Sequence, residues 1–222
     1  PFEKEKDVNI LVSYADNALG RAKEAGKNRV EYFSSEDYNK TLSRIELQQE
    51  MRDSIQNNFE GFELYYQPQV TSNEYKLHGA EALLRYRSRK FGFMSPVVFI
   101  PILEKSGMIV PVGKWVMQQA FAQCARWRKL QEDFSISINA SYVQLREASI
   151  VNDVVEAARE ARLPGRNITV EVTESMQLQD YNYFNNIFSN WRNKEIHVSI
   201  DDFGTGYSSL SYLKGLEVDE VK

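Results

Sequence analysis

Residues 135–141 read SISINAS, residues 168–175 read ITVEVTES, and residues 197–204 read HVSIDDFG. Each alternates apolar or β-branched residues with polar ones, the period of a strand with two unlike faces. Between them, 149–161 and 180–193 carry the longer apolar spacing of helices. Strand–helix alternation with short turns is the signature of an α/β parallel sheet or barrel. Working outward, 62–70 and 77–87 predict two earlier strands, and 96–105 and 113–129 predict two helices. Beyond the quoted stretches, 208–213 predicts another helix and 218–222 the start of a sixth strand.

The opening of the chain has a different pattern. Leu11, Ala15, Ala18, Leu19 and Ala22 recur at helical spacing over 8–29, with Gly26 as a stop signal. Val30-Glu31-Tyr32-Phe33 is a short strand-like run. Residues 34–39 read as a polar break, and 41–58 as a second helix with Leu42, Ile45, Leu47 and Ile55 among its apolar positions. Residues 1–33 are too few to bury their own apolar face. They read as an α+β remnant of another domain, followed by a linker and helix over 34–58 and a main domain over 59–222.

Composition bounds the function. A 42% hydrophobic content supports a core and excludes wholesale disorder. No apolar run approaches the roughly 20 residues of a membrane span, so no membrane contact is expected from this segment. The single cysteine, Cys124, excludes an internal disulfide and suits a reducing, cytoplasmic compartment. A net charge of −4 argues against binding of polymeric nucleic acid. A small phosphorylated ligand remains compatible, because a metal can supply the positive charge.

Polar groups gather at the strand ends: Glu81, Arg85, Asn139, Glu171, Asp201, Asp202 and Lys222. In a (β/α) barrel, that end is where catalytic groups collect. Carboxylates plus an amide oxygen form a hard, all-oxygen ligand set that favours Mg²⁺ or Mn²⁺ over zinc. Two such ions, roughly 3.5–4 Å apart, would offset the mutual repulsion of four carboxylates and activate a water for phosphodiester hydrolysis.

These residues lie in a wider pattern. Gly79-Ala80-Glu81-Ala82-Leu83-Leu84-Arg85-Tyr86 resembles the signature of EAL domains, the bacterial cyclic di-GMP phosphodiesterases. Tyr66-Gln67-Pro68 before it is similar to the family, as are Phe99-Ile100-Pro101, Glu104, Gly107 and Val112-Gly113-Lys114-Trp115 after it. So are Ser137-Ile138-Asn139, Glu171-Val172-Thr173-Glu174, and the run from Asp201-Asp202-Phe203-Gly204 to Leu210. Lys222 falls where the family's lysine opens a further motif. Tyr86 stands where tryptophan is more usual. The resemblance implies a TIM-like (β/α) barrel of the EAL type that lacks its last strands here.

It also implies roles. Glu81, Asn139, Glu171, Asp201 and Asp202 would hold two Mg²⁺ or Mn²⁺ ions. Glu81, Asp202 and Lys222 would be catalytic, with Asp202 orienting the water and Lys222 assisting it. Arg85 and Gln67 would bind substrate, and residues 203–210 would shape the site and bear on a homodimer. The implied reaction is hydrolysis of cyclic di-GMP to linear pGpG. The alternatives are an inactive cyclic di-GMP-binding module, or a fragment whose activity belongs to a longer protein. Family elements expected after Lys222 are not in this stretch, so the stretch alone is expected to be poorly active or to continue further. Ala15-Asp16-Asn17-Ala18-Leu19-Gly20-Arg21-Ala22-Lys23 and Gly26-Lys27-Asn28-Arg29-Val30 resemble the end of a GGDEF (diguanylate cyclase) domain.

Blander readings stand beside these. Glu174 fits a supporting salt bridge as well as direct ligation, and Arg85 could pair a carboxylate. His78 and His197 read as structural. Cys124 reads as packing, and Tyr181, Tyr183, Phe184, Phe188 and Trp191 as helix core rather than a stacking platform.

Overall fold

The computed structural model describes residues 8–72, 74–173, 181–201 and 215–222. The chain divides into two units between Met51 and Arg52.

The first unit holds helix α1 (Val8–Glu24) and most of helix α2 (Ser35–Gln56), which runs across the division. An aromatic cluster anchors it: Tyr14 stacks on Phe33 at 3.8 Å and meets Tyr38 edge-on at 4.9 Å. Asn17 donates to the Thr41 hydroxyl (3.1 Å), and Arg21 pairs with Glu31 (3.2 Å). The strand expected at 30–33 does not form. That stretch is irregular, with Val30 and Tyr32 exposed, and no strand pairs with it among the described residues. The polar break expected at 34–39 is instead the first turn of α2. The Ser34 carbonyl accepts the Tyr38 N–H (3.0 Å), and Glu36 pairs with Lys40 one turn on (2.7 Å). Serine and acidic residues at this point act as helix starters, not loop formers.

Among its described residues the second unit is built on seven strands: β1 (Phe62–Val70), β2 (Leu77–Ser88), β3 (Gly92–Met94), β4 (Ser135–Ala140), β5 (Ile168–Thr173), β6 (His197–Asp201) and β7 (Glu220–Val221). Their order is β1-β2-β4-β5-β6-β7, with β3 on β2. From β2 through β7 the main path is parallel. β1 and β3 run antiparallel to β2, so the sheet is mixed at the β1–β2–β3 end. The reason is connection length. Residues 71–76 are too few for a parallel crossover, which takes a dozen or more.

Helices α3 (Pro96–Lys105), α4 (Ile109–Trp127), α5 (Tyr142–Leu145), α6 (Ile150–Ala161) and α7 (Tyr181–Arg192) fill the crossovers. Pro96 opens α3, where its missing N–H costs nothing. The core lies between these helices and one sheet face. Ile136, Ile138, Val170, Val172, Val198 and Ile200 are buried from the strands, and Phe121, Cys124, Val154, Phe184, Phe188 and Trp191 from the helices. Burial of each large apolar side chain stabilises the fold by roughly 1.5–3 kcal/mol. Tyr86 is fully buried here, and its hydroxyl hydrogen-bonds Ser54 (3.0 Å), so the ring packs without an orphaned polar atom.

One glycine sets how closely β2 and β4 approach. A Cβ on Gly79 would lie 2.4 Å from the Ser135 hydroxyl and 2.9 Å from its carbonyl oxygen. Parallel strands joined by helices, with one apolar and one polar sheet face, constitute the TIM-like (β/α) architecture expected from the sequence.

Candidate active site

The polar face of the sheet carries the candidate site. Because strand side chains alternate, burial of Ala80, Ala82, Ile136, Ile138, Val170, Val172, Val198 and Ile200 on one face sends Glu81, Ser137, Asn139, Glu171, Ser199 and Asp201 to the other. Register then aligns them. Gln67, Glu81 and Ser137 form one cross-strand row, and Asn139, Glu171 and Ser199 a second.

The carboxylates of Glu81, Glu171 and Asp201 each bring an oxygen within 4.8 Å of the others. Asn139 donates its side-chain N–H to Glu81 Oε1 (2.7 Å). Lys222 donates from Nζ to Glu171 Oε1, and its backbone N–H is tied to the Ile200 carbonyl (2.8 Å). Glu171 is only 1% exposed, and its second oxygen, Oε2, is buried without a hydrogen-bond partner. Burial pushes its carboxyl above the ordinary range. Hydrogen bonds from Lys222 and Ser137 pull it down, the Glu81 charge pushes it up, and the Lys222 charge opposes that.

An orphaned buried carboxylate oxygen beside two further carboxylates is costly by itself. A divalent cation would relieve that cost. The all-oxygen donor set therefore fits a hard divalent cation, which Glu81, Glu171 and Asp201 could hold with the Asn139 amide beside them.

The other expected residues are placed as follows. Gln67 is exposed on the row of Glu81. Arg85 shares that face but lies four residues farther along β2, about 13 Å at strand rise. Its guanidinium sits over the Tyr65 ring (5.5 Å) and donates to the Leu84 carbonyl (2.9 Å). Asp202, Glu174 and residues 203–210 lie outside the described residues. His197 is exposed at the start of β6, at the opposite end from Asp201. Phe184, Phe188 and Trp191 are buried, as helix-core residues should be.

Sequence reasoning assigned no role to two groups that join the site. Ser137 is buried on the carboxylate face, and Gln69 donates to its hydroxyl (3.3 Å). The signal was available for Ser137, which lies two residues before Asn139 and so on the same face.

Comparison with known proteins bears on what this arrangement is. The family model described as "EAL domain" matches residues 48–222. The signalling protein YkoW of Bacillus subtilis (strain 168) is 35% identical over 212 residues, 96% of this chain and 26% of the relative. The cyclic di-GMP phosphodiesterase PdeR of Escherichia coli (strain K12) is 30% identical over 220 residues, 99% of this chain and 33% of the relative. The chain thus spans about a quarter to a third of the length of these relatives. Among solved structures, the PaMucR phosphodiesterase in complex with c-di-GMP is 35% identical with a TM-score of 0.73, over 79% of this chain and 71% of that one. The EAL enzyme Bd1971, in its cAMP- and cyclic-di-GMP-bound form, is 30% identical with a TM-score of 0.74, over 98% of this chain and 57% of that one. With the family model covering most of its length and the carboxylates on the parallel strands β2, β5 and β6 of one sheet, the chain belongs to the EAL domain family.

Proposed function

We propose that this chain forms the catalytic face of a metal-dependent phosphodiesterase that hydrolyses cyclic di-GMP to linear pGpG. The observation that carries the reading is the Glu81, Glu171 and Asp201 cluster, with its orphaned Glu171 oxygen and with Lys222 donating to Glu171. Relatives bearing the name cyclic di-GMP phosphodiesterase support the substrate class.

Glu81, Asn139, Glu171 and Asp201, with Asp202, would hold two Mg²⁺ or Mn²⁺ ions, which would supply Lewis acidity and positive charge for a hydrolytic water. The reaction consumes one water. A bond forms from its oxygen to phosphorus, the bond from phosphorus to a ribose oxygen breaks, and a proton ends on that leaving oxygen. Among the described residues Lys222 gives one N–H, to Glu171, and its other two would serve the water or a phosphate oxygen. Its positive charge opposes the charge that develops on the phosphate. Asn139 holds the Glu81 carboxylate in orientation, and Asp202 orients the water. Arg85, farther toward the mouth, and Gln67, beside Glu81, contact the ligand.

The same reading includes a cytoplasmic homodimer. Among the described residues, no helix is long and apolar enough to cross a membrane. Residues 1–33 are proposed as the tail of a GGDEF-like domain. In support, the match to MucR of Pseudomonas aeruginosa, whose name is bifunctional diguanylate cyclase/cyclic di-GMP phosphodiesterase, takes in 96% of this chain, more than the EAL segment alone.

The test is turnover of cyclic di-GMP by the purified protein with Mg²⁺ or Mn²⁺, followed chromatographically. Glu81→Ala should lower the rate by about a thousandfold or more, the scale of several kcal/mol of lost transition-state stabilisation. Equal activity in the variant would sink the role of Glu81. Tight binding of cyclic di-GMP with no product over hours would replace the enzyme by a binding module.

A further inference from the structure

Lys222 directly follows β7, a two-residue strand, and a strand that short does not hold its own register. What holds it lies on α7. Arg192 pairs through Nη1 with the Glu217 carboxylate (3.1 Å) and through Nε with Asp219 (3.4 Å), and donates from Nη2 to the Glu217 carbonyl (2.6 Å). One turn or two earlier on the helix, Ser189 donates to the same Glu217 carboxylate (3.3 Å). Asn185 donates to the Gly215 carbonyl (2.8 Å) and accepts the Glu217 N–H (3.0 Å). Thus three residues of one helix face grip the segment just before β7.

That grip is transmitted to β6. The Asp219 carboxylate accepts the Val198 N–H (2.9 Å), while the Asp219 N–H is donated to the Val198 carbonyl (2.9 Å). From this doubly bonded point the ladder runs on: Glu220 opposite Ser199, Val221 opposite Ile200, and the Lys222 N–H on the Ile200 carbonyl. A slip of one residue would turn Lys222 to the apolar face and away from Glu171.

We propose that Arg192 is a positioning residue for Lys222. It fixes Glu217 and Asp219, Asp219 fixes the register of β7 on β6, and the register delivers the Lys222 ammonium to Glu171. This rests on the phosphodiesterase reading only for its consequence in catalysis; the placement of Lys222 is independent of it. Arg192 touches neither Glu171 nor Lys222, and its side chain is 42% exposed, so its ion pairs count for little as stability. Their effect is on geometry.

The experiment has two readouts on Arg192→Ala, Arg192→Lys and the control Lys194→Ala. The first is the rate at which an amine-acylating reagent modifies Lys222, measured by peptide mass spectrometry. The second is steady-state turnover of cyclic di-GMP. In Arg192→Ala, Lys222 should be acylated severalfold faster than in the wild type. Its kcat should fall roughly tenfold with KM little changed, since a misplacement of about 1 Å remote from the chemistry is costly. Arg192→Lys should recover part of both effects, and Lys194→Ala should show neither. If Arg192→Ala does not fold, Asp219→Asn, which keeps a side-chain acceptor but loses the charge, should show the same two effects. Faster acylation of Lys222 in a protein whose wild type shows no turnover would uphold the positioning role while ending the phosphodiesterase reading. Unchanged acylation together with unchanged kcat in a folded Arg192→Ala protein would overturn the proposal.

Discussion

The two faces of β4, β5 and β6 differ by one residue in sequence and by nearly everything in chemistry. Ile136, Ile138, Val170, Val172, Val198 and Ile200 lie under the helices, none more than 5% exposed. Ser137, Asn139, Glu171, Ser199 and Asp201 alternate with them and face away. The apolar face gains from every contact it makes. The polar face keeps a buried carboxylate with an oxygen unpartnered and holds three acidic groups close together. The contrast teaches that these strands separate their tasks by pleat. One face holds the protein together, and the other is kept at a local cost that a bound cation would offset.

Glu171→Gln should break that division most sharply. The amide keeps the shape and removes the charge that a cation needs. Turnover should fall by about a thousandfold or more, as for loss of several kcal/mol of stabilisation in the transition state. Stability without metal should not fall, and should rise if the cost of burying the charge exceeds the value of the Lys222 pair. Added Mn²⁺ should raise the melting temperature of the wild type, by the linkage between binding and folding, and leave the variant unmoved. A variant that loses both stability and activity would show that Glu171 belongs to the fold as much as to the site.

Ile138→Ala is the reverse case, one residue before Asn139 and on the other face. Ile138 is fully buried, so truncation leaves a cavity and should cost about 2–5 kcal/mol. Denaturant unfolding measures this directly. Below its shifted melting point the variant should keep kcat within a fewfold of the wild type. A large loss of turnover in a folded protein would show that the two faces are mechanically coupled.

This division was also what made the sequence legible. β1 and α3 are formed over the very residues their patterns indicate, β4 starts where expected and ends one residue early, and β5 and β6 start where expected, their expected last residues 174–175 and 202–204 lying outside the described residues. The polar partners of Ile136, Val170 and Val198 gave away the site face by period alone. What escaped was set by relations between segments. The antiparallel β1–β2 pairing depends on a six-residue connection, not on either strand's composition. β3 is three residues long, and its first, Gly92, adopts a φ of +74°; no periodicity emerges from so little. Val30-Glu31-Tyr32-Phe33 has strand composition but, among the described residues, no strand beside it. The polar residues that begin α2 resemble a loop until their backbone is seen to close the first turn. Arg192 carries no motif, because its importance lies in which backbone it grips.

The smallest expected effect tests the apolar side once more. Cys124 is fully buried on α4, its thiol donating weakly to the Phe134 carbonyl (3.5 Å). Burial pushes the thiol from 9.0 up to about 12, with the Arg128 charge pulling slightly the other way. The folded state therefore favours the neutral thiol. Its contribution is fully present below the unfolded thiol's value and is lost as pH rises through the folded one. Between pH 7 and 8, Cys124→Ala should show the same pH slope of stability as the wild type, since neither state ionises the thiol appreciably. From about pH 9 upward the wild type should lose stability more steeply than the variant, by the proton-linkage relation. The native thiol should also react with a thiolate-selective reagent at pH 8 only as fast as the protein opens, because the thiolate is the nucleophile. Rapid stoichiometric modification of the folded protein at pH 8 would mean that the helix-covered face admits water and charge, and that the two faces of the sheet are less unlike than their burial indicates.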